Sequence, residues 1–304
     1  MARGSLADRV AARRISVAPF VVAVLVMVFW GATPVVSKVA VEDIDPILVG
    51  TLRTVLAGLI VLPILAWTRL PLPPSRRHGA LLAVSGLSGF VVFPIVFTIG
   101  QERTSAIHGG MILAALPVMT GAYVMLLGRR RPGREWLLGC GIALAGELVL
   151  IAGRGEGTGY EASLAGDLLI AASVLVVAAG YVAGGRLGQL GYGSLATTLW
   201  GVAGSAVVVA PIVAGLVAAN GWPSASADAW ASVAFLAVIT SVVGYIGWYW
   251  ALARGGIARI ATVQFLQPFS GLVLAAVVLG ERFSALLIGA SAAILAGVWI
   301  AQRP

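Results

Sequence analysis

Residues 17–67 read VAPFVVAVLVMVFWGATPVVSKVAVEDIDPILVGTLRTVLAGLIVLPILAW and contain two long apolar runs, 17–39 and 45–67. The connection between the runs is short and acidic, and it ends at Pro46. About 20 consecutive apolar residues are enough for a helix to cross the ~30 Å hydrocarbon core of a bilayer. This segment therefore predicts two transmembrane helices joined by a tight turn.

The rest of the chain has the same apolar character. Of its 304 residues, 60% are hydrophobic and 11% are charged, and the mean hydropathy is +1.00, whereas about a quarter of the residues in soluble domains are charged. The runs are continuous instead of alternating, which favours membrane helices over a β-barrel. The single cysteine, Cys140, excludes an internal disulfide framework, and no cofactor or metal is expected. We predict an all-α integral membrane protein.

Short polar, glycine-rich or proline-rich breaks divide the chain into ten predicted spans. The break at Gly255 and Gly256 decides the count, because residues 228 to 279 otherwise form one overlong run and the total falls to nine. The predicted transmembrane helices cover residues 17–39, 45–67, 78–100, 105–127, 134–153, 164–186, 193–216, 228–252, 257–279 and 283–302.

Basic residues are distributed unequally between the two sides of the predicted membrane. With a cytoplasmic amino terminus, fifteen of the twenty Lys and Arg residues fall on the cytoplasmic side and four on the other, with Arg53 inside a span. Because Lys and Arg concentrate in cytoplasmic loops, both termini are predicted to be cytoplasmic, and the location is the inner (plasma) membrane. Topology also explains the net charge of +8 better than nucleic-acid binding, because the basic residues form no single patch.

The two halves of the chain look like diverged copies of one five-helix unit. A shift of 151 residues places Pro117 on Pro268, and a shift of 148 places Lys38 on Arg186. Chance alignment of helices rich in Leu, Ala and Gly is the alternative. Because five is odd, the second copy enters the membrane upside down, as in the inverted repeats of many transporters. The predicted organisation is a cytoplasmic segment (1–16), a first repeat (17–153), a linker (154–163) and a second repeat (164–304).

Four short motifs follow one another in order along nearly the whole chain. They are Phe29-Trp30-Gly31 to Lys38 in the first span, Pro46 followed by Arg53 in the second, Gln264 to Pro268 in the ninth, and Leu279-Gly280-Glu281 before the tenth. With these motifs the chain resembles the EamA-type ten-helix carriers of the drug/metabolite transporter superfamily. Its general likeness is to the YddG branch, whose members export aromatic and other neutral amino acids. The resemblance implies a central cavity lined by the first four spans of each half, with the fifth and tenth at the periphery.

The tenth span carries small residues at four-residue spacing, namely Gly289, Ala293 and Gly297. Such a face suits close packing against a neighbouring helix. A dimer contact is the alternative. The chain is therefore expected to be a monomer, with a dimer left open.

Aromatic and amide side chains within the spans are the candidates for solute binding. Tyr245 and Trp248 lie on one stripe of the eighth span, and the shift of 151 residues pairs it with a third-span stripe that includes Phe97. Two such faces suit a cavity for flat side chains, although an interfacial belt or plain packing gives the same pattern. Gln264 and Gln267 offer amides to the charged groups of a zwitterion or, alternatively, to neighbouring helices. The candidate substrate-binding residues are Thr33, Pro34, Phe93, Pro94, Phe97, Tyr181, Tyr245, Trp248, Gln264 and Gln267.

Four prolines, Pro34, Pro94, Pro117 and Pro268, fall within candidate cavity helices. Each one removes a backbone donor and leaves a carbonyl that a solute, water or a neighbouring helix must satisfy. The pattern predicts kinks that serve both as hinges and as sources of binding groups.

Charged side chains inside a bilayer are costly, so Lys38, Arg53 and His108 are candidates for gating or electrostatic roles. Lys38 is expected to snorkel to the outer interface, and His108 is expected to lie at the membrane boundary. Arg53 lies about two turns into its span. There it either pairs with Glu42 or Asp43 or attracts an anionic group.

These features favour a transporter that exports small solutes by alternating access. Aromatic or neutral amino acids or related metabolites are the expected cargo. Efflux of drugs or other metabolites is the alternative, and the shortage of intramembrane carboxylates disfavours strongly cationic cargo. Glu147 is the one carboxylate placed well inside a predicted span, and its peripheral position favours passive or weakly coupled transport.

Other classes of protein fit the sequence less well. An intramembrane lipid-modifying enzyme is disfavoured, because two histidines and one cysteine provide no cluster of catalytic or metal-binding groups. A channel or a scaffold stays an open alternative. The expected partners are the lipid bilayer and a small-molecule solute, and no nucleic acid.

Overall fold

The structure is a computed structural model that describes residues 17–128, 133–152, 163–255, 262–280 and 284–301. Within these ranges the regular structure is helical, and the described residues contain no strand. The helices are α1 (Ala18–Asp43), α2 (Pro46–Thr68), α3 (Arg76–Glu102), α4 (Ala106–Gly128), α5 (Arg134–Ala152), α6 (Leu164–Gln189), α7 (Ser194–Asn220), α8 (227–255), α9 (262–279) and α10 (Ala285–Ala301).

Most of these helices have the length and composition of membrane spans. Seven helices of the described residues, α1 to α4 and α6 to α8, are apolar over at least 18 residues. In α9 the apolar helix Leu266–Leu279 is shorter. The prediction of an all-α membrane protein is therefore confirmed, whereas the count of ten spans stays a prediction.

Polar residues fix where several of the helices begin. Asp45 accepts hydrogen bonds from the backbone N–H groups of Ile47 and Leu48, at 2.9 and 3.0 Å. A side-chain oxygen in this position satisfies donors that the first helical turn leaves unpaired. Four serines cap further helices in the same way: Ser75 (α3), Ser105 (α4), Ser163 (α6) and Ser226 (α8).

The four prolines predicted to kink their helices each follow an irregular helical turn. Because proline cannot donate to the carbonyl four residues earlier, the helix before it can tighten, widen or turn. These irregular turns lie where the kinks are predicted, and the kinks themselves stay a prediction. The irregular turns are Ala32 before Pro34 in α1, the π-helix Ser88–Val92 before Pro94 in α3, and the 3₁₀ turns Leu113–Ala115 before Pro117 in α4 and Thr262–Phe265 before Pro268 in α9.

Glycines allow the closest contact between α1 and α9. A Cβ added to Gly31 would meet the Gln267 carbonyl oxygen at 2.6 Å and the Gly271 nitrogen at 2.9 Å. These distances leave no room for a side chain. The two helix backbones therefore touch, as small residues permit in membranes.

Helices α5 and α10 pack on each other. A Cβ added to Gly297 would meet the Gly139 carbonyl oxygen of α5 at 2.6 Å. Gly297 thus has the packing role predicted for the small face of the tenth span. Gly289 is exposed and has open space where a Cβ would stand, so only part of that face forms the contact.

Several sequence predictions concern residues outside the described ranges. They are the cytoplasmic segment 1–16, nearly all of the linker 154–163, Gly256 of the break between α8 and α9, Arg282, and the side chain of Glu147.

Candidate solute-binding cavity

A cavity lies among the helices, with an empty volume of about 380 Å³ including its opening. Its wall is built by α1 to α4, α6, α8 and α9, so both predicted halves contribute. None of its described lining residues comes from α5 or α10. The lining residues are Trp30, Thr33, Arg53, Phe93, Leu113, Leu116, Val177, Tyr181, Thr240, Tyr245 and Gln267.

Aromatic rings from the two halves meet at this cavity. The Trp30 ring of α1 stacks on Tyr181 of α6, with a centroid distance of 6.1 Å and an interplanar angle of 16°. Tyr245 of α8 lies 5.2 Å from the Trp30 ring and 4.7 Å from the Phe90 ring of α3. Offset-stacked and edge-to-face pairs are the favourable ring arrangements. The cluster gives the cavity an apolar face suited to flat side chains.

A π-helix in α8, Leu236–Val243, fixes the position of Trp30. Gly244 N–H donates to the Ile239 carbonyl five residues back, instead of to Thr240. The Thr240 carbonyl therefore accepts a hydrogen bond from Trp30 Nε1, at 3.0 Å. In a regular α-helix the bond from Gly244 would occupy that carbonyl.

Arg53 of α2 is buried, with 3% of its surface exposed, and it reaches across to α8. Its Nε donates to Ser241 Oγ at 3.3 Å, and its Nη2 donates to Thr240 Oγ1 and Ser241 Oγ, both at 3.0 Å. Both hydroxyls donate a hydrogen bond to the Leu236 carbonyl. Their oxygen lone pairs can therefore face the guanidinium, which holds that side chain in one orientation.

The alternative in which Arg53 pairs with Glu42 or Asp43 is wrong. The hydroxyls of α8 take its Nε and Nη2, and Asp43 accepts a hydrogen bond from Ser226 N–H at 2.9 Å. Asp43 thus joins the end of α1 to the start of α8.

Thr33 and Gln267 complete the polar part of the wall. Each lies directly before a proline, Thr33 in α1 and Gln267 in α9, and shortly after an irregular turn of its helix. The structure separates the predicted amide pair, because Gln267 lines the cavity and Gln264 is half-buried outside its described lining.

The other candidate substrate-binding residues lie at or just behind the wall. Phe93 lines the cavity, and the buried Phe97 ring is 5.3 Å from it. Trp248 is buried, with its ring centroid 5.8 Å from that of Trp30. Pro34 and Pro94 are buried next to lining residues of α1 and α3.

Lys38 is buried at the end of α3 and does not snorkel. Its Nζ donates to the carbonyls of Gln101, Glu102 and Thr104, at 3.2, 3.1 and 3.0 Å. The end of a helix leaves carbonyls unpaired and carries partial negative charge. The predicted snorkelling of Lys38 is therefore wrong, because these carbonyls provide partners inside the protein. Its position near the outer interface stays a prediction.

His108 is also buried, and it pairs with Asp167 of α6. Its Nδ1 is 3.1 Å from Asp167 Oδ2, and the two residues are 2% and 0% exposed. Thr104 Oγ1 donates to Asp167 Oδ1 at 2.6 Å. The predicted boundary position of His108 stays a prediction, and its burial against Asp167 was not predicted. Asp167 is a buried acid in the first turn of α6, where acidic residues are also common at solvated helix starts, so its position gave no sign of burial.

Five residues of the wall were missed by the sequence reading. The shift of 151 residues pairs Trp30 with Tyr181, and this signal was sufficient to find Trp30. Thr240 lies in the π-helix, whose wider turn changes which side chains of α8 point towards the cavity. The hydrophobic pattern of the sequence does not reveal that wider turn. The other three are apolar residues that look like ordinary core: Leu113, Leu116 and Val177.

Comparison with known proteins identifies the family. Residues 18–152 and 164–302 each match the model of the EamA-like transporter family. The two matches together cover most of the chain.

Individual relatives align along nearly their whole length. The chain is 29% identical over 279 residues to the uncharacterized transporter YdeK of Bacillus subtilis, covering 91% of this chain and 94% of that protein. It is 27% identical over 286 residues to a probable amino-acid metabolite efflux pump of Salmonella typhimurium, covering 91% and 92%. A solved crystal structure matches with a TM-score of 0.63 at 18% identity, covering 93% of this chain and 96% of that one, which shows the shared fold.

Proposed function

The chain belongs to the EamA-like transporter family, and from this premise we propose that it exports amino acids, aromatic or neutral, or related small metabolites. Membership of this family confirms the prediction of a membrane transporter of small solutes and excludes the enzyme alternative. The name of the Salmonella relative, a probable amino-acid metabolite efflux pump, supports export of amino-acid-like cargo.

The observation that carries the proposal is the cavity. Its wall combines an aromatic cluster around Trp30 and Tyr245 with a small set of polar groups, and helices of both halves enclose it. An apolar pocket with a few convergent polar groups is the usual form of a small-ligand site. An aromatic amino acid offers the matching combination of a flat ring and two charged groups on one carbon.

Alternating access is the proposed mechanism. Two inverted five-helix halves rock about the cavity, and the irregular turns before Pro34, Pro94 and Pro268 serve as pivots. These turns lie beside lining residues in α1, α3 and α9, so a change in helix direction there changes the cavity directly. The proposal places the protein in the inner membrane with both termini in the cytoplasm.

Efflux of other metabolites or drugs by the same cavity is the second candidate. The described lining residues include no carboxylate, so a strongly cationic drug would find no counter-charge in the wall. Neutral or anionic compounds stay compatible with it.

Counterflow in proteoliposomes tests the proposal. Vesicles loaded with unlabelled phenylalanine, tyrosine or tryptophan are expected to accumulate the labelled amino acid transiently and saturably. Truncating a buried aromatic anchor removes much contact area, so we expect Trp30→Ala to weaken apparent affinity by about tenfold or more. Gln267→Ala is expected to weaken it by roughly three- to tenfold through a lost hydrogen bond.

Trp67→Ala is the matched control, because Trp67 is 90% exposed on the outside of α2. It is expected to transport like the unmodified protein. Normal transport by both Trp30→Ala and Gln267→Ala, or currents typical of a channel in single-channel recordings, would contradict the proposal.

Transport is proposed to be passive or weakly coupled to protons. An imposed pH gradient is then expected to leave the final distribution of the solute unchanged in the same vesicles. Accumulation driven by the gradient, and its loss in Asp167→Asn, would contradict passive transport and assign coupling to the His108–Asp167 pair.

A further inference from the structure

Among the described residues that line the cavity, Arg53 alone is charged, and no acidic residue belongs to that lining. The described contacts between basic and acidic side chains lie elsewhere, between Arg103 and Glu102 and between His108 and Asp167. A guanidinium keeps its charge at neutral pH. A positive charge enclosed in an apolar wall is unfavourable until an opposite charge comes close.

The guanidinium has one nitrogen left for a ligand. Nε and Nη2 are held by the hydroxyls of Thr240 and Ser241, whereas Nη1 is buried and has no hydrogen-bond partner among the described residues. A buried donor without a partner is unusual in a native protein and calls for an explanation. Because the other two nitrogens are fixed, Nη1 is already oriented before a solute arrives.

The second half of the chain supplies no equivalent cation. A shift of 148 residues places Pro63 of α2 on Pro211 of α7, and the same shift places Arg53 on Gly201. One guanidinium with unused donors fits a single carboxylate. A phosphate carries nearly two charges at neutral pH and would need more cationic partners.

We propose that Arg53 binds the carboxylate of the transported solute, so that the substrates are carboxylates with an aromatic or apolar body. This inference rests on the proposed function, because it places the charged end of the cargo in the same cavity. The ring of the solute lies against Trp30 and Tyr181. Thr33 and Gln267 offer neutral hydrogen-bond acceptors to the ammonium group. Because the described wall has no carboxylate to pair with it, the ammonium is dispensable for binding.

A ligand series on the unmodified protein tests this assignment without any variant. The compounds are L-phenylalanine, 3-phenylpropionate, which lacks the ammonium group, and L-phenylalaninamide and phenethylamine, which lack the carboxylate. Their affinities are measured by calorimetry on the detergent-solubilised chain and by competition in counterflow. Losing a charge-assisted hydrogen bond is expected to weaken the last two by roughly tenfold or more relative to phenylalanine.

The result separates this inference from the proposed function. If L-phenylalaninamide and phenethylamine bind as tightly as phenylalanine, the carboxylate assignment is overturned while amino-acid-like transport stands. If none of the four compounds binds or competes, both the assignment and the proposed cargo are overturned. Binding of 3-phenylpropionate within a few fold of phenylalanine supports the assignment and shows that the ammonium is dispensable.

Variants of Arg53 give a second, independent test. Arg53→Gln is expected to abolish the preference for phenylalanine over L-phenylalaninamide, whereas Arg53→Lys is expected to keep part of it because the charge remains. Arg77→Gln, at an exposed arginine at the start of α3, is the control and is expected to keep the full preference. If Arg53→Gln lowers stability but leaves the acid-to-amide affinity ratio unchanged, Arg53 has only a structural role and the proposal fails.

Discussion

Single polar side chains tie distant helices together inside this protein. Lys38 joins α1 to the end of α3, the His108–Asp167 pair joins α4 to α6, and Arg53 joins α2 to α8. Lipid offers these groups no alternative partners, so the protein must satisfy them itself. Each such residue therefore fixes the position of a helix as well as its own.

Replacing Asp167 tests the contact between α4 and α6 directly. Asp167→Ala leaves His108 and Thr104 without their partner in a buried position, so we expect a loss of about 3 kcal/mol in the free energy of unfolding. The measurement is SDS-induced unfolding in mixed micelles. Glu102→Ala is the control, because Glu102 and Arg103 form an exposed pair 3.6 Å apart, and exposed pairs contribute about 1 kcal/mol or less. Equal losses in the two variants would contradict the prediction.

The sequence predicted which residue types line the cavity better than it predicted which groups each buried side chain contacts. Thr33, Tyr181 and Tyr245 were predicted to face a solute and do line the cavity, although their role in binding stays a prediction. Lys38 was placed at the interface because long side chains usually reach water. The carbonyls that hold it come from a helix end 63 to 66 residues away in sequence, and no local pattern predicts that contact.

Irregular helical turns occupy matching positions in the two halves. The π-helices Ser88–Val92 of α3 and Leu236–Val243 of α8 overlap under a shift of 151 residues, and so do the 3₁₀ turns of α4 and α9. Regular helices satisfy their own carbonyls, whereas these turns release some of them towards neighbours. The paired irregularities support the proposed duplication and concentrate exposed backbone groups around the cavity.

The contact between α1 and α9 should tolerate no added side chain. We expect Gly271→Ala to cost about 1–3 kcal/mol in the free energy of unfolding, because its Cβ would lie 2.9 Å from the Gly31 carbonyl oxygen. The readout is again SDS-induced unfolding. Gly204→Ala in α7 is the control, where a Cβ meets nothing within 4 Å and alanine favours the helix by up to about 1 kcal/mol. A stabilised Gly271→Ala variant would show that the helices are not in tight contact.

The existence of the helices was predictable, and their ends were not. Apolar runs show where lipid must be the solvent, which is a property of the local sequence. The first helix, in contrast, continues to Asp43 instead of ending at residue 39, because only Ile44 is needed as an extended link before the cap at Asp45. A polar residue near the end of an apolar run can belong either to the helix or to the connection that follows it.

The whole molecule is proposed to consist of two oppositely inserted halves. The two segments that match one family and their similar irregular turns support a duplication, whereas the opposite insertion of the halves stays a prediction. Sequence alone supplied the offset and the charge bias but not the cavity, because its wall combines residues from seven helices that are far apart in the chain.

Thiol labelling tests the opposite insertion. Ser75 and Ser226 are exposed helix caps separated by 151 residues, so inverted halves place them on opposite sides of the membrane. In a Cys140→Ser background, we expect an impermeant maleimide to label Ser226→Cys in intact cells and Ser75→Cys only in inverted vesicles. Labelling of both variants from the same side would rule out the inverted arrangement.

The asymmetry between Arg53 and its counterpart Gly201 has a kinetic consequence. If the two halves had identical walls, the outward-facing and inward-facing forms would be equivalent, and half-saturation would occur at the same concentration on either side. Because only the first half supplies a guanidinium at this position, the outward-facing and inward-facing forms present different sites to the solute. The carrier should therefore have unequal half-saturation concentrations at its two entrances, with maximal rates that differ in the same ratio when transport is passive.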